Sequence, residues 1–213
     1  VGANLQDHLE VYVQTACRQP VSLWPASRPA RRCAIGFEWL LRRTGLGASN
    51  HFEVGGFTRT NQTTRYPNVQ YHFLPIAMNY DGSNPRQGHG FQLHVGPMRG
   101  ESRGFVRIRS RDPRSPPDIR FNYLSTPSDR ADMVAAIRQA RSIISQPAFD
   151  TFRGEALNPT EDVQSDEALL AFARATAESA YHPSGTCAMG DGPLTVTVAE
   201  LRVHGVRNLR IVD

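Results

Sequence analysis

Residues 10–17, EVYVQTAC, alternate apolar and polar side chains with a period of two, the pattern of a half-buried strand. Four later runs read the same way: HFEVGGFTRT (51–60), NVQYHFLPIAM (68–78), GFQLHVGPM (90–98) and GFVRIRS (104–110). In the last of these, Phe105, Arg107 and Arg109 alternate with Val106 and Ile108, which predicts one apolar and one basic face. Residues 20–35, with three prolines and several arginines, read as a loop, and IGFEWLLRR (35–43) as a short helix ended by Gly45 or Gly47. RDPRSPPDIRFNYL (111–124) reads as a proline-rich turn and an extended piece. The period then changes. Met133, Ile137, Ala140 and Ile144 recur at helical spacing, with Thr126 as N-cap, Pro127 at the first helical position, Asp129 in the first turn and Pro147 as the stop. A second helix is predicted over SDEALLAFARATAE (165–178), capped by Ser165. LRVHGVRNLRIVD (201–213) predicts two short extended runs joined at His204-Gly205. Strands first and helices after them predict an α+β fold.

The 213 residues are 39% hydrophobic and 21% charged, a globular balance. No apolar run approaches the roughly 18 residues of a membrane-spanning helix. No secretory leader is visible, and a start at Val1 reads as an internal segment. Net charge is +4 with a pI near 9.3. No lysine occurs, so all 24 basic residues are arginine. Arginine suits phosphate recognition. Here, however, the arginines are dispersed, with short pairs only at Arg31–Arg32 and Arg42–Arg43, which argues against a nucleic-acid partner. Cys17, Cys33 and Cys187 are odd in number and far apart. They imply neither a disulfide framework nor a zinc site, and a reducing compartment fits.

YHPSGTCAMG (181–190) holds the most pointed candidate. Pro183 pushes His182 toward an extended backbone, and Ser184-Gly185 permits a turn or a close approach. Such a histidine suits general-base chemistry near neutral pH, and equally a structural hydrogen bond. Cys187 lacks a visible activating neighbour, and Ser184 lacks a nucleophile elbow. GLGASN (45–50) lacks the third glycine of a phosphate loop. In SNHFEVGGF (49–57), a strand over 51–57 would place His51 and Glu53 on one face near aromatic residues such as Phe52 and Trp39. That suits a cationic ligand, and an exposed glutamate on a sheet is the plain alternative. His72, His89 and His94 are too dispersed for a metal site.

Taken together, VGANLQDHLE, SRGFVRIRSRDP followed by FNYLS, YHPSGTCAMG and LRVHGVRNLRIVD resemble the C-terminal portion of the glucose-methanol-choline (GMC) flavoprotein oxidoreductases. QPVSLWP, GFEWLLRRTGLGASNHFEVGGF, YHFLPIAMNYDGSN and HGFQLHVGPMRGESRG resemble its choline-oxidising members. The resemblance implies an antiparallel substrate-binding sheet flanked by helices, with partial strands of an FAD-binding α/β domain at both ends. It divides the chain into an FAD-domain end (1–9), the sheet (10–127), a helical part (128–180) and an active-site loop returning to the FAD domain (181–213). It implies FAD as cofactor, no metal, and oxidation of choline to betaine aldehyde by hydride transfer, a step of glycine betaine synthesis. It assigns the hydroxyl proton to His182, the trimethylammonium to Glu53, a lining role to His51 and His89, and a flavin contact to Asp213. The electron acceptor is left open between oxygen and a membrane quinone, and the location between the cytoplasm and the inner-membrane surface. The remainder of the parent chain is the expected partner. It would carry the Gly-rich ADP loop and a second catalytic His or Asn, so the segment alone is expected to be inactive. Ala188, where the family has a basic residue, and Thr197-Val198-Ala199, where it has a Val-Asp-Pro-like turn, depart from the pattern. The alternatives are a related flavin enzyme for neutral primary alcohols and a non-catalytic small-ligand-binding module.

Overall fold

A computed structural model describes residues 1–52, 54–83 and 88–212. In chain order the elements are β1 (Ala3–Leu5), β2 (Leu9–Cys17), α1 (Pro29–Arg42), β3 (Val54–Thr58), β4 (Val69–Leu74) and β5 (Gly90–Pro97). They continue with β6 (Gly104–Arg107), β7 (Asp118–Arg120), α2 (Pro127–Ile144), β8 (Arg153–Asn158), α3 (Asp166–Thr176) and β9 (Glu178–Ser179). The mixture of antiparallel sheet and helix is the α+β class that the periodicities predict. The chain divides into two compact units: residues 1–9, 98–131 and 179–213, and residues 10–97 and 132–178.

The larger unit is built on a sheet ordered β3-β4-β5-β2-β8. Its two faces differ because strand side chains alternate. One face carries Val11 and Val13 of β2, Leu93 and Val95 of β5, and Val69 and Tyr71 of β4, all buried. Helix α2 covers this face: Gln139 accepts hydrogen bonds from the Tyr71 and Thr58 hydroxyls at 2.8 and 3.0 Å. Met133, Ile137 and Ala140 of α2 and Leu169 and Ala173 of α3 have no exposed surface, so the apolar period read from the sequence is the core period. The other face carries Tyr12, Gln14, Gln92, His94 and His72. It is polar yet buried at Gln14, Gln92 and His94, a cost that only satisfied hydrogen bonds offset.

The smaller unit contains the sheet β1-β6-β7. Glycine is required at Gly2, where φ is +83° and a Cβ would lie 2.1 Å from the Val106 carbonyl oxygen. Thr126 caps α2 as expected, accepting from the Asp129 N–H at 3.2 Å. Asp129 in turn ties down the loop before β6. Its carboxylate accepts from the Glu101 N–H at 2.7 Å, the Ser102 N–H at 2.9 Å and the Ser102 hydroxyl. Burial, the largest single influence on this carboxyl, opposes ionisation. The hydrogen bonds from Ser102 and Glu101 outweigh it and hold the group below the ordinary carboxylate range.

Four expectations are corrected. Residues 29–35 are helix, not loop: α1 starts at Pro29, whose ring fixes φ and whose missing N–H costs nothing at a helix start. It ends on Arg43 in the left-handed region (φ 56°), before either glycine. Of the strand expected over 51–57, the described residues from Val54 onward are strand and residues 51–52 are not. Ser49 accepts from the His51 N–H and Asn50 from the Phe52 N–H, so these side chains hold a turn. Strand β6 stops at Arg107 and leaves Ile108 90% exposed, so its two faces are not apolar and basic. The two extended runs expected over 201–213 do pair, with the Val203 N–H donating to the Leu209 carbonyl and the Ile211 N–H to the Leu201 carbonyl, but the strand expected at the end is reduced, among the described residues, to isolated bridges of Arg202 with Arg210 and of Thr197 with Val203. Strand β8 was not expected: Gly154 and Pro159 around a short apolar stretch hide its period.

Two outcomes follow for the intact protein. Ile137→Ala lowers stability by about 2–5 kcal/mol in chemical denaturation, because it opens a cavity under the sheet. Asp129→Asn lowers it by about 1–3 kcal/mol near neutral pH. The native carboxyl titrates below its unfolded value of about 3.9. Its contribution is therefore complete above that value and is lost as pH falls through the depressed native value. The gap between wild type and Asp129→Asn must close on acidification, and a gap that widens contradicts the assignment.

Candidate active site

The His182 loop is held from the opposite end of the sequence. Gln6 and Ser184 exchange both backbone hydrogen bonds at 2.9 Å. The Gly2 N–H donates to the Thr186 carbonyl at 3.1 Å and the Ala180 N–H to the His8 carbonyl at 2.9 Å. The loop thus lies as an extended partner along residues 2–8, which is the backbone state that Pro183 imposes on His182. Gly185 has φ +90°, and a Cβ there would lie 2.4 Å from the Asn4 carbonyl oxygen. This is the close approach foreseen for Ser184-Gly185, and its object is residues 4–6.

Asp7 closes the arrangement. Its Oδ1 accepts from the His182 backbone N–H at 3.0 Å. Its Oδ2 accepts from the Tyr123 hydroxyl and the Ser179 hydroxyl. Ser179 in turn accepts from the Tyr181 N–H at 2.9 Å, where Tyr181 adopts a left-handed φ of 59°. One carboxylate therefore fixes the backbone on both sides of Tyr181. The His182 side chain then meets His8: the two Nδ1 atoms are 3.0 Å apart and the rings are edge to face, 5.1 Å between centroids.

That contact has a chemical consequence. Two Nδ1 atoms at hydrogen-bond distance share one proton. If His8 donates, His182 carries its own proton on Nε2 and can donate to an oxygen there. If His182 donates, its Nε2 is a proton acceptor. His8 thus selects whether His182 acts as acid or base at Nε2. His182 is exposed, so this nitrogen is accessible.

The remaining expected site residues lie in the other unit or outside the described residues. Glu53 and Asp213 lie outside them. His51 sits in the Ser49–Phe52 turn with φ 66°. His89 sits before β5, with Nδ1 2.9 Å from the Ser22 hydroxyl and its ring edge to face with Trp24 at 5.4 Å. Among the described contacts none joins His51 to His89. Phe52 does meet histidines, at 5.4 Å from His94 and 6.0 Å from His72 between centroids. Sequence reasoning missed Asp7, His8, Tyr123 and Ser179. The one available signal was the Asp-His pair within LQDH, which carries no chemistry until residue 182 is brought beside it.

Comparisons with known proteins identify the family. The family model described as GMC oxidoreductase matches residues 100–213. The chain belongs to the GMC oxidoreductase family. It is 56% identical over all 213 residues to an oxygen-dependent choline dehydrogenase of Paraburkholderia phymatum, of which it covers 37%. It is 53% identical over its whole length to the protein of the same name from Proteus mirabilis, covering 38% of it. Among solved structures, pyridoxine 4-oxidase from Mesorbium loti aligns with all of the chain at a TM-score of 0.80 and 26% identity, with 38% of that chain covered. A formate oxidase aligns at 0.87 and 22% identity, with 42% covered, and shares the fold. The chain thus spans less than two-fifths of the length of these curated relatives.

The flavin implied by the resemblance can be set against the donors present. An accessible imidazole at His182 suits the redox end of a flavin, where a hydroxyl proton must leave. The ADP end finds no match among the described residues. Helices α1, α2 and α3 follow Arg28, Thr126 and Ser165, none of them a glycine-rich phosphate turn.

Asp7→Ala is expected to release the loop. Loss of a charge-assisted hydrogen bond, about 1.5–3 kcal/mol, should speed amide exchange at residues 180–182 and 184–186 by roughly 10- to 100-fold. Unchanged protection at the His182 amide would show that the backbone bridge alone holds the loop.

Proposed function

We propose that this chain supplies the substrate sheet and the proton-handling loop of an FAD-dependent enzyme that oxidises choline to betaine aldehyde. The observation that carries the proposal is the His182 imidazole, fixed through Asp7 and His8 and accessible at Nε2. Identity of 53–56% over the whole chain to relatives named oxygen-dependent choline dehydrogenase supports the substrate, and their names support oxygen as electron acceptor over a membrane quinone.

Oxidation of a primary alcohol removes a hydroxyl proton and a hydride from the carbinol carbon. Bound FAD supplies the hydride acceptor. His182 Nε2 takes or shares the hydroxyl proton and stabilises the alkoxide character that develops as the C–H bond breaks. His8 sets the proton position on His182, and Asp7 sets its place. Glu53 neutralises the trimethylammonium, and nearby aromatic residues such as Phe52 add cation–π attraction. His51 and His89 line the pocket, and Asp213 contacts the flavin. In this reading the larger unit, residues 10–97 and 132–178, carries the substrate sheet and the helices behind it, and residues 1–9 and 181–213 join the flavin domain. Among the described residues no helix is long and apolar enough to cross a membrane.

In the full-length enzyme, His182→Ala should slow anaerobic flavin reduction by choline about 10²- to 10⁴-fold in stopped-flow absorbance. A rate within threefold of wild type would remove His182 from the chemistry. Glu53→Gln should weaken choline roughly 10- to 100-fold. It should leave 3,3-dimethylbutan-1-ol, the uncharged isostere, nearly unaffected. Equal losses for both alcohols would favour the enzyme of neutral alcohols.

A further inference from the structure

FNYLS (121–125) is among the stretches that carry the family resemblance, and its backbone takes a shape that local propensity disfavours. Asn122 and Leu124 both lie in the left-handed region, at φ 59° and 54°. Asparagine tolerates that region, but a leucine there is strained. Such strain persists only where the surroundings over-determine it, and it gathers at functional sites. Four of the six left-handed non-glycine residues described in the smaller unit gather around one carboxylate, that of Asp7. Asn4 lies three residues before it, Asn122 and Leu124 flank its donor Tyr123, and Tyr181 separates its donors Ser179 and His182.

The contacts that hold this shape are specific. Arg130 Nη1 donates to the Leu124 and Ser125 carbonyls, both at 3.0 Å, and so grips the strained residue from its C-terminal side. The Ser125 N–H donates to the Ser102 hydroxyl at 2.9 Å, and the Asn122 side-chain amide to the Arg103 carbonyl at 3.3 Å. Gly104 lets the chain approach closely, since a Cβ there would lie 1.8 Å from the Arg120 carbonyl oxygen. Residues 102–104 and FNYLS are therefore built against each other. Phe121 and Tyr123 stack, with centroids 4.8 Å apart and planes 6° from parallel, which fixes the phenol ring. What the strained segment presents is the Tyr123 hydroxyl, donated to Asp7 Oδ2, while Asp7 Oδ1 takes the His182 N–H. Arg103 reaches the other end of the same loop. Its Nε donates to Asn4 Oδ1 at 3.1 Å, which turns the Asn4 amide nitrogen to the Gly185 carbonyl at 3.4 Å. The loop is thus held at its histidine through Tyr123 and Asp7, and at its glycine through Arg103 and Asn4.

We propose that FNYLS is the element that positions the His182 loop, and that Tyr123 is a positioning residue for the alcohol oxidation: its hydroxyl, held by the strained backbone and by Arg130, fixes the Asp7 carboxylate and through it the place of the His182 imidazole. The catalytic half rests on the proton-handling role given to His182 above, and the positional half on geometry alone. A misplaced imidazole slows the step in which the hydroxyl proton leaves and spares the binding of the alcohol. Tyr123 therefore acts on rate and not on affinity.

The test follows anaerobic flavin reduction in the full-length holoenzyme over a choline series, which separates the limiting rate from the choline dissociation constant. Tyr123→Phe keeps the ring and its stack on Phe121 and removes only the hydroxyl. The limiting rate should fall about 3- to 30-fold, with the dissociation constant within roughly twofold of wild type. In an Asp7→Ala background the same substitution should change the rate by less than about twofold, because the route through Asp7 is already cut. A wild-type limiting rate in folded Tyr123→Phe, a loss confined to the dissociation constant, or an equal loss in both backgrounds overturns the proposal. If Tyr123→Phe does not fold, Arg130→Met decides: it leaves the hydroxyl and releases the Leu124 and Ser125 carbonyls. Its rate should fall about threefold or more in the wild-type background and stay level in Asp7→Ala, and an unchanged rate in the wild-type background overturns the proposal. Failure of the functional reading looks different. If choline does not reduce the wild-type flavin, or His182→Ala leaves reduction unchanged, amide exchange at His182 decides the positional half. Tyr123→Phe should speed that exchange roughly tenfold, and unchanged protection overturns it.

Discussion

The carboxylate of Asp7 is the constraint on which the candidate site depends. It accepts hydrogen bonds from the His182 N–H, the Tyr123 hydroxyl and the Ser179 hydroxyl. A loop ordered for chemistry must offset the entropy of fixing its backbone, about 1–2 kcal/mol per residue. The Gln6–Ser184 bridge and the close approach at Gly185 supply register, and Asp7 supplies the anchor beside the imidazole. His8, next in sequence, then engages the ring itself. Positioning and proton control of His182 thus come from two adjacent residues.

The larger unit divides its labour between the faces of one sheet. The apolar face, closed by α2 and α3, holds the unit together through residues such as Met133, Ile137 and Leu169 that lose all contact with water. The polar face bears buried amides and rings whose donors and acceptors match almost completely. Such a network adds little net stability and much orientational specificity, since each misplaced donor costs more than each correct one contributes.

Much of the fold was legible from pattern. The α2 cap at Thr126, the Ser165 cap of α3 and the apolar period of α2 appear as read, because local chemistry fixes them. The start of α1 was hidden because proline-rich sequence argues for a loop unless the proline falls at the first helical turn. The turn at His51 was hidden because Ser49 and Asn50 act only through their side chains. The site was half legible. His182 announced itself through Pro183 and the glycine behind it. Asp7 and His8 did not, since their partners lie 116 to 175 residues away and no local period reports such a pairing. His94 reads as one of three dispersed histidines, and only the strand register sets it opposite Tyr12 and His72.

The central claim is that Asp7 acts on the chemistry only through His182. A double-mutant cycle on the anaerobic rate of flavin reduction by choline tests it directly, using Asp7→Asn, His182→Gln and their combination. The account predicts that the double variant reacts no more slowly than His182→Gln alone, because the anchor has nothing left to position. Losses that multiply, with the double variant slower by the product of the single effects, would contradict it.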